Sequence, residues 1–77
     1  MIYTKHAKLQ MAVRGIAQAD ADEVLVNPMK VEPGNDGAVN FLGYGPSGCR
    51  VRVTVAPDGV HIKTVAWADY RKRRRRK

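Results

Sequence analysis

Hydrophobic periodicity changes once along this chain, at Met29, and the change fixes the order of its elements. Before Met29 apolar residues recur at helical spacing; after it they alternate with polar ones. Helices therefore come first and strands second. Neither can bury its apolar face alone, so the helices must cover one face of the sheet, an α+β arrangement.

The first helix is bounded by its own signals. Thr4 is an N-cap, Lys5 to Arg14 holds no breaker, and Gly15 stands where a left-handed C-cap glycine belongs, with Ile16 folding back behind it. His6, Gln10 and Arg14 are four apart and share a polar face. Ala7 and Met11, with Leu9 and Ala12, supply the apolar side. In the second helix Asp20, Asp22 and Glu23 fall in the first turns, where the dipole favours them, and Ala21, Val24 and Leu25 face the core. Asn27-Pro28 ends it. Met1 to Tyr3 is short and apolar, as an edge strand would be.

Four strands are expected after Met29: 29–32, 39–44, 49–55 and 60–67. Gly/Pro-rich turns separate them, and connections this short make an antiparallel meander. Cys49, Val51, Val53 and Val55 alternate with Arg50, Arg52 and Thr54. In the last strand Val60, Ile62, Thr64 and Ala66 stand opposite His61, Lys63, Val65 and Trp67. Val51, Val53, Val55 and Ile62 should lie beneath the helices.

The chain has 77 residues, which makes one domain with a thin core. Its single cysteine, Cys49, can neither close an intramolecular disulfide nor build a zinc site. Packing alone must hold the fold. The domain is expected over residues 1–68 and a disordered basic tail over 69–77. The formal net charge is +7, and seven of the fourteen Lys and Arg form the run Arg71-Lys72-Arg73-Arg74-Arg75-Arg76-Lys77. A block of like charges stays solvated unless something acidic meets it. Polyphosphate is the commonest such partner, because each neutralised phosphate releases counterions. RNA or the ribosome is thus the expected partner of Arg71, Arg73, Arg74, Arg75 and Arg76. No apolar run approaches the ~20 residues of a membrane span, and the N-terminus shows no apolar signal region. A cytoplasmic protein without a membrane partner is expected.

Gly43-Tyr44-Gly45-Pro46-Ser47-Gly48 spells G-x-G-x-x-G, but a dinucleotide fingerprint must open a helix, and here valine alternation resumes at once. The segment reads as a hairpin turn, and no cofactor or metal site is indicated. Arg50, Arg52, His61 and Lys63 share one sheet face, where like charges invite an anionic ligand. Trp67 falls on the same alternation, with Tyr44 or Tyr70 in reach, and aromatics beside cations suit base stacking with phosphate contact. His6 and His61 alone have an ordinary pKa near neutrality. Metal-free RNA cleavage needs a base, an acid and a cation on the phosphate. His6 and Arg14 are the candidate catalytic pair; Arg50, Arg52, His61 and Lys63 are the candidate nucleic-acid contacts.

Thr4-Lys5-His6-Ala7, Met11, Arg14-Gly15-Ile16, Val24-Leu25 with Asn27-Pro28, Arg52-Val53-Thr54-Val55, Asp58-Gly59 and Ile62-Lys63-Thr64-Val65 resemble, in this order, a small bacterial family catalogued as domain of unknown function family 4258. That family looks like a branch of the RelE/ParE/BrnT-type toxins. The resemblance implies a RelE-like fold of two helices on a twisted antiparallel sheet, a metal-independent ribonuclease of a toxin–antitoxin type, and an acidic antitoxin as partner. His6, Arg14, Arg50 and Arg52 match polar positions of the family. Where its pattern has arginine before the methionine, this chain has Gln10, which cannot hold a phosphate as a cation does. Three readings follow: an RNA-binding toxin with ribonuclease activity, a non-catalytic adaptor for nucleic acid or an acidic protein, and a ParE-like toxin aimed at another protein.

Overall fold

The computed structural model describes residues 1–68. The basic run expected to contact RNA, and Tyr70 with it, lies outside the described residues. In chain order the elements are β1 (Ile2–Tyr3), α1 (Lys5–Arg14), α2 (Gln18–Val26), β2 (Lys30–Pro33), a 3-10 turn (Asn35–Gly37), β3 (Val39–Tyr44), β4 (Arg50–Val55) and β5 (His61–Trp67). One sheet runs β1-β5-β4-β3-β2, and α1 and α2 cover one of its faces. The fold is α+β.

The expected meander from β2 to β5 is antiparallel throughout, but the sheet has five strands, not four, and is mixed. β1 joins β5 in parallel, pairing Ile2 with His61 and Tyr3 with Ile62. Two residues suffice because hydrogen bonds anchor them on both sides. Ile2 N–H donates to the Val60 carbonyl at 2.8 Å, and the Thr4 hydroxyl donates to the Ile62 carbonyl at 2.9 Å. The Tyr3 hydroxyl donates to Asp22 on α2 at 2.5 Å. Burial, and then the Asp22 carboxylate, push the Tyr3 phenol above its ordinary pKa, so it stays a donor.

Thr4 caps α1 by accepting from Ala7 N–H at 3.1 Å. Gly15, at φ +70°, closes it: its N–H reaches the Ala12 carbonyl, and Ile16 N–H reaches that of Met11 at 2.9 Å. This is a Schellman motif, and Ile16 packs with Met11 in the core as the motif requires. The apolar face of α1 is narrower than expected. Ala7 and Met11 are buried, whereas Leu9 is 61 % exposed and Ala12 is exposed too. Ile16, arriving from the C-cap, joins the buried cluster instead.

Val51, Val53 and Val55 of β4 lie beneath α2 in one buried cluster with its Ala21 and Val24, and α1 lays Ala7 and Met11 over β5, whose Ile62 and Val65 complete the cluster. A fully buried valine contributes on the order of 1.5–3 kcal/mol, so these three, with Val24, Ile62 and Val65, make up most of a small core. In β5 the alternation changes phase. Val55 pairs with Ile62, but Thr54 pairs with Thr64 and Val53 with Val65. Lys63 is the extra residue of a bulge. Past it, Val65 and Trp67 face the helices, and Thr64 and Ala66 face outward, the reverse of the sequence expectation.

Asp20 does more than open α2. It is 3 % exposed, and it accepts from Ser47 N–H at 3.1 Å and from the Ser47 hydroxyl at 2.6 Å in the β3–β4 turn. This tie requires Gly45, where a Cβ would collide with the Asp20 side chain and Cα. Gly45 and Gly48 of the G-x-G-x-x-G string thus serve a turn between strands, and Gly43 lies within β3. Gly45→Ala must displace α2 from that turn and should cost about 1–3 kcal/mol, as overpacked sites do. Urea denaturation checks it; a loss below about 0.5 kcal/mol, the range of ordinary surface substitutions, would show the contact to be loose.

Candidate nucleic-acid interface

The buried valines of β4 force Arg50, Arg52 and Thr54 to the face away from the helices, since successive strand residues point to opposite sides. On β3 the register sets Tyr44 opposite Arg50, Leu42 opposite Arg52 and Asn40 opposite Thr54. On β5 it sets Ala66 opposite Arg52 and Thr64 opposite Thr54. The cations therefore do not stand directly opposite one another, as the sequence suggested. Small or neutral residues separate them, which lowers their mutual repulsion.

Tyr44 is half exposed beside Arg50. The Nε of Arg50 is buried and donates to nothing among the described residues. Arg50, Arg52 and Lys63 likewise have no ion-pair partner among them; the Lys or Arg ion pair found there joins Lys30 to Glu32 at 3.6 Å. Arg52 and Lys63 also border a depression of about 310 Å³ with Asn35, Asn40, Thr54 and Thr64.

His61 is engaged elsewhere. Asp58 accepts from the N–H groups of Val60 and His61 at 2.8 and 3.0 Å, and its second oxygen meets His61 Nδ1. The imidazole thus helps to close the β4–β5 turn. Backbone hydrogen bonds, first from Val60, and the His61 ring pull the Asp58 carboxyl down to about 2.

The expected catalytic pair sits on the helix side. His6 is exposed and forms no hydrogen bond among the described residues. Arg14 Nη1 donates to the Val65 carbonyl at 2.8 Å, so that guanidinium ties α1 to β5 and pairs with neither Asp20 nor Glu23. Between the two, Gln10 is partly buried, with its Oε1 unpartnered. Trp67 donates from Nε1 to the Arg14 carbonyl at 3.1 Å and packs on the core. It is therefore no neighbour of Arg50 and Arg52. The structure brings Arg50, Arg52, Lys63 and Tyr44 to one face and leaves His6 and Arg14 across the sheet from them. Asn40 and Thr64 were missed by sequence reasoning, which put Thr54 on this face but gave it no role. Only the bulge, which the alternation does not announce, turns Thr64 to this face.

Among the described residues no three His, Cys, Asp or Glu side chains gather as metal ligands, and no helix is long and apolar enough to cross a membrane. Residues 3–67 match the family described as Domain of unknown function (DUF4258), and the chain belongs to it. No curated protein and no solved structure gives a significant match.

The Asp58 contacts carry a pH signature. Its folded pKa lies below the unfolded 3.8, so its contribution is complete above that value and is lost as pH falls through about 2. The denaturation midpoint of Asp58→Ala should therefore fall less steeply than wild type over this window. Parallel curves would mean that the turn contacts are not made in solution.

Proposed function

We propose that this protein binds RNA across the outer face of its sheet, and that it is a RelE/ParE/BrnT-type relative in which this face is the working surface. The observation that carries the reading is the grouping of Arg50, Arg52 and Lys63 beside exposed Tyr44, with no acidic partner for the cations among the described residues. Unpaired guanidinium groups on a sheet suit phosphate, which they meet with two parallel hydrogen bonds, and a phenol ring beside them suits a stacked base. The Arg- and Lys-rich sequence of residues 71–77 would add affinity without sequence preference.

Binding is the leading function and cleavage the second. The second reading draws support from His6, exposed and without a hydrogen bond among the described residues, on the same helix as Arg14. Its cost is that Arg14 is already committed to Val65. An acidic antitoxin peptide would meet the same cationic face by the same charge complementarity.

Fluorescence anisotropy with a single-stranded RNA at several salt concentrations separates these outcomes. The double variant Arg50→Gln/Arg52→Gln should weaken binding and flatten the log–log salt slope by about 0.7 for each phosphate that the variant no longer neutralises. His6→Ala should bind as wild type does. Unchanged binding in the double variant would overturn the assignment of the surface. Cleavage in EDTA that falls ~10²–10⁴-fold in His6→Ala would establish the ribonuclease. Intact RNA after incubation with wild type would leave binding as the function.

A further inference from the structure

The bulge in β5 does something that a regular strand cannot. Lys63 and Thr64 are consecutive, and in regular pleat they would point to opposite faces. Here both line the same depression on the outer face, together with Arg52 and Thr54 from β4 and with Asn35 and Asn40. Bulges of this kind re-aim side chains next to working sites.

The lining is rich in donors. The Thr54 hydroxyl donates to Asn40 Oδ1 at 2.7 Å. With Oδ1 engaged in that bond, Nδ2 donates to nothing among the described residues and is a free donor. Thr64 adds a hydroxyl, and Arg52 and Lys63 add two charges. Among the described residues no carboxylate lines the depression. Glu32, which pairs in register with Asn40, reaches Lys30 instead. Two cations with neutral donors between them, and no carboxylate, match an oxyanion such as phosphate rather than an apolar group.

The geometry points to this depression as the seat of one phosphate group, held by Arg52, Lys63, Asn40 and Thr64. It rests on the RNA reading only for the source of that phosphate, which we take to be the backbone of the bound strand. The seat lies toward the Asn40 end of β3, and Tyr44 lies at the other end. Four residues at ~3.4 Å separate the two, so one strand of RNA can occupy both with a base on Tyr44 and a phosphate in the seat.

Two variants test it. Asn40→Asp keeps an acceptor for the Thr54 hydroxyl but replaces a donor with a negative charge; Lys63→Gln removes one cation from an exposed position. The full chain and both variants are dialysed to equilibrium against radiolabelled inorganic phosphate, and RNA binding is measured against salt. Wild type should hold one more saturable phosphate per chain than Asn40→Asp, and Lys63→Gln should weaken that site at least about tenfold, as loss of a charge-assisted hydrogen bond does. Lys63→Gln should also flatten the RNA salt slope by about 0.7, equally for all sequences. Equal phosphate uptake by all three chains, each folded by circular dichroism, overturns the seat. A phosphate site with an unchanged RNA slope in Lys63→Gln overturns the RNA backbone as its source. Phosphate held at the site by a chain that binds no RNA sustains the seat and rejects the RNA reading.

Discussion

The register of β4 decides both what this protein buries and what it presents. Val51, Val53 and Val55 are at most 3 % exposed beneath the helices, and Arg50, Arg52 and Thr54 are thereby turned outward. A slip of one residue would exchange the two sets and bury two guanidinium groups against α1 and α2. In so small a core that penalty is out of reach of compensation. Hydrophobic packing on one side therefore holds the cations in place on the other, although no cation takes part in the packing.

A second constraint joins the layers at one end. Asp20 is the only buried charged side chain among the described residues, and Ser47 supplies both of its hydrogen bonds. Hydrogen bonds to a charged group contribute about 1.5–3 kcal/mol each, and without them the carboxylate would be stranded. Gly45 makes the approach feasible by having no side chain. The string that resembles a nucleotide-binding fingerprint is thus accounted for by packing between α2 and the β3–β4 turn. At the other end of the sheet Asp58 organises the β4–β5 turn and occupies His61. A residue that looked available for chemistry is in part a structural one.

Much of this was legible in the residues. Thr4, Gly15 and Asn27-Pro28 bound the helices because caps act locally, and the valine alternation of β4 names its core face because nothing interrupts it. The bulge at Lys63 was not legible. In Ile62-Lys63-Thr64-Val65-Ala66-Trp67 both alternating sets contain apolar residues, so an inserted residue leaves no break in the pattern. Its consequences, Trp67 on the core side and Thr64 on the outer face, were missed for that reason. The two residues of β1 gave too short a pattern to place beside β5. The pairing of His6 with Arg14 came from helical spacing and the family resemblance, neither of which shows that the Val65 carbonyl takes up the Arg14 guanidinium.

The functional account follows from these placements. Membership of an uncharacterised domain family supplies the frame, and a cationic sheet face that the helices leave uncovered supplies the surface. The most direct test is to map a single-stranded RNA on the full ¹⁵N-labelled chain by amide chemical-shift changes. The account predicts changes concentrated on the outer-facing positions of β3, β4 and β5, notably Asn40, Tyr44, Arg50, Arg52, Lys63 and Thr64, with α1 and α2 quiet. Changes confined to α1 around His6 and Arg14, with β3 and β4 unmoved, would contradict it.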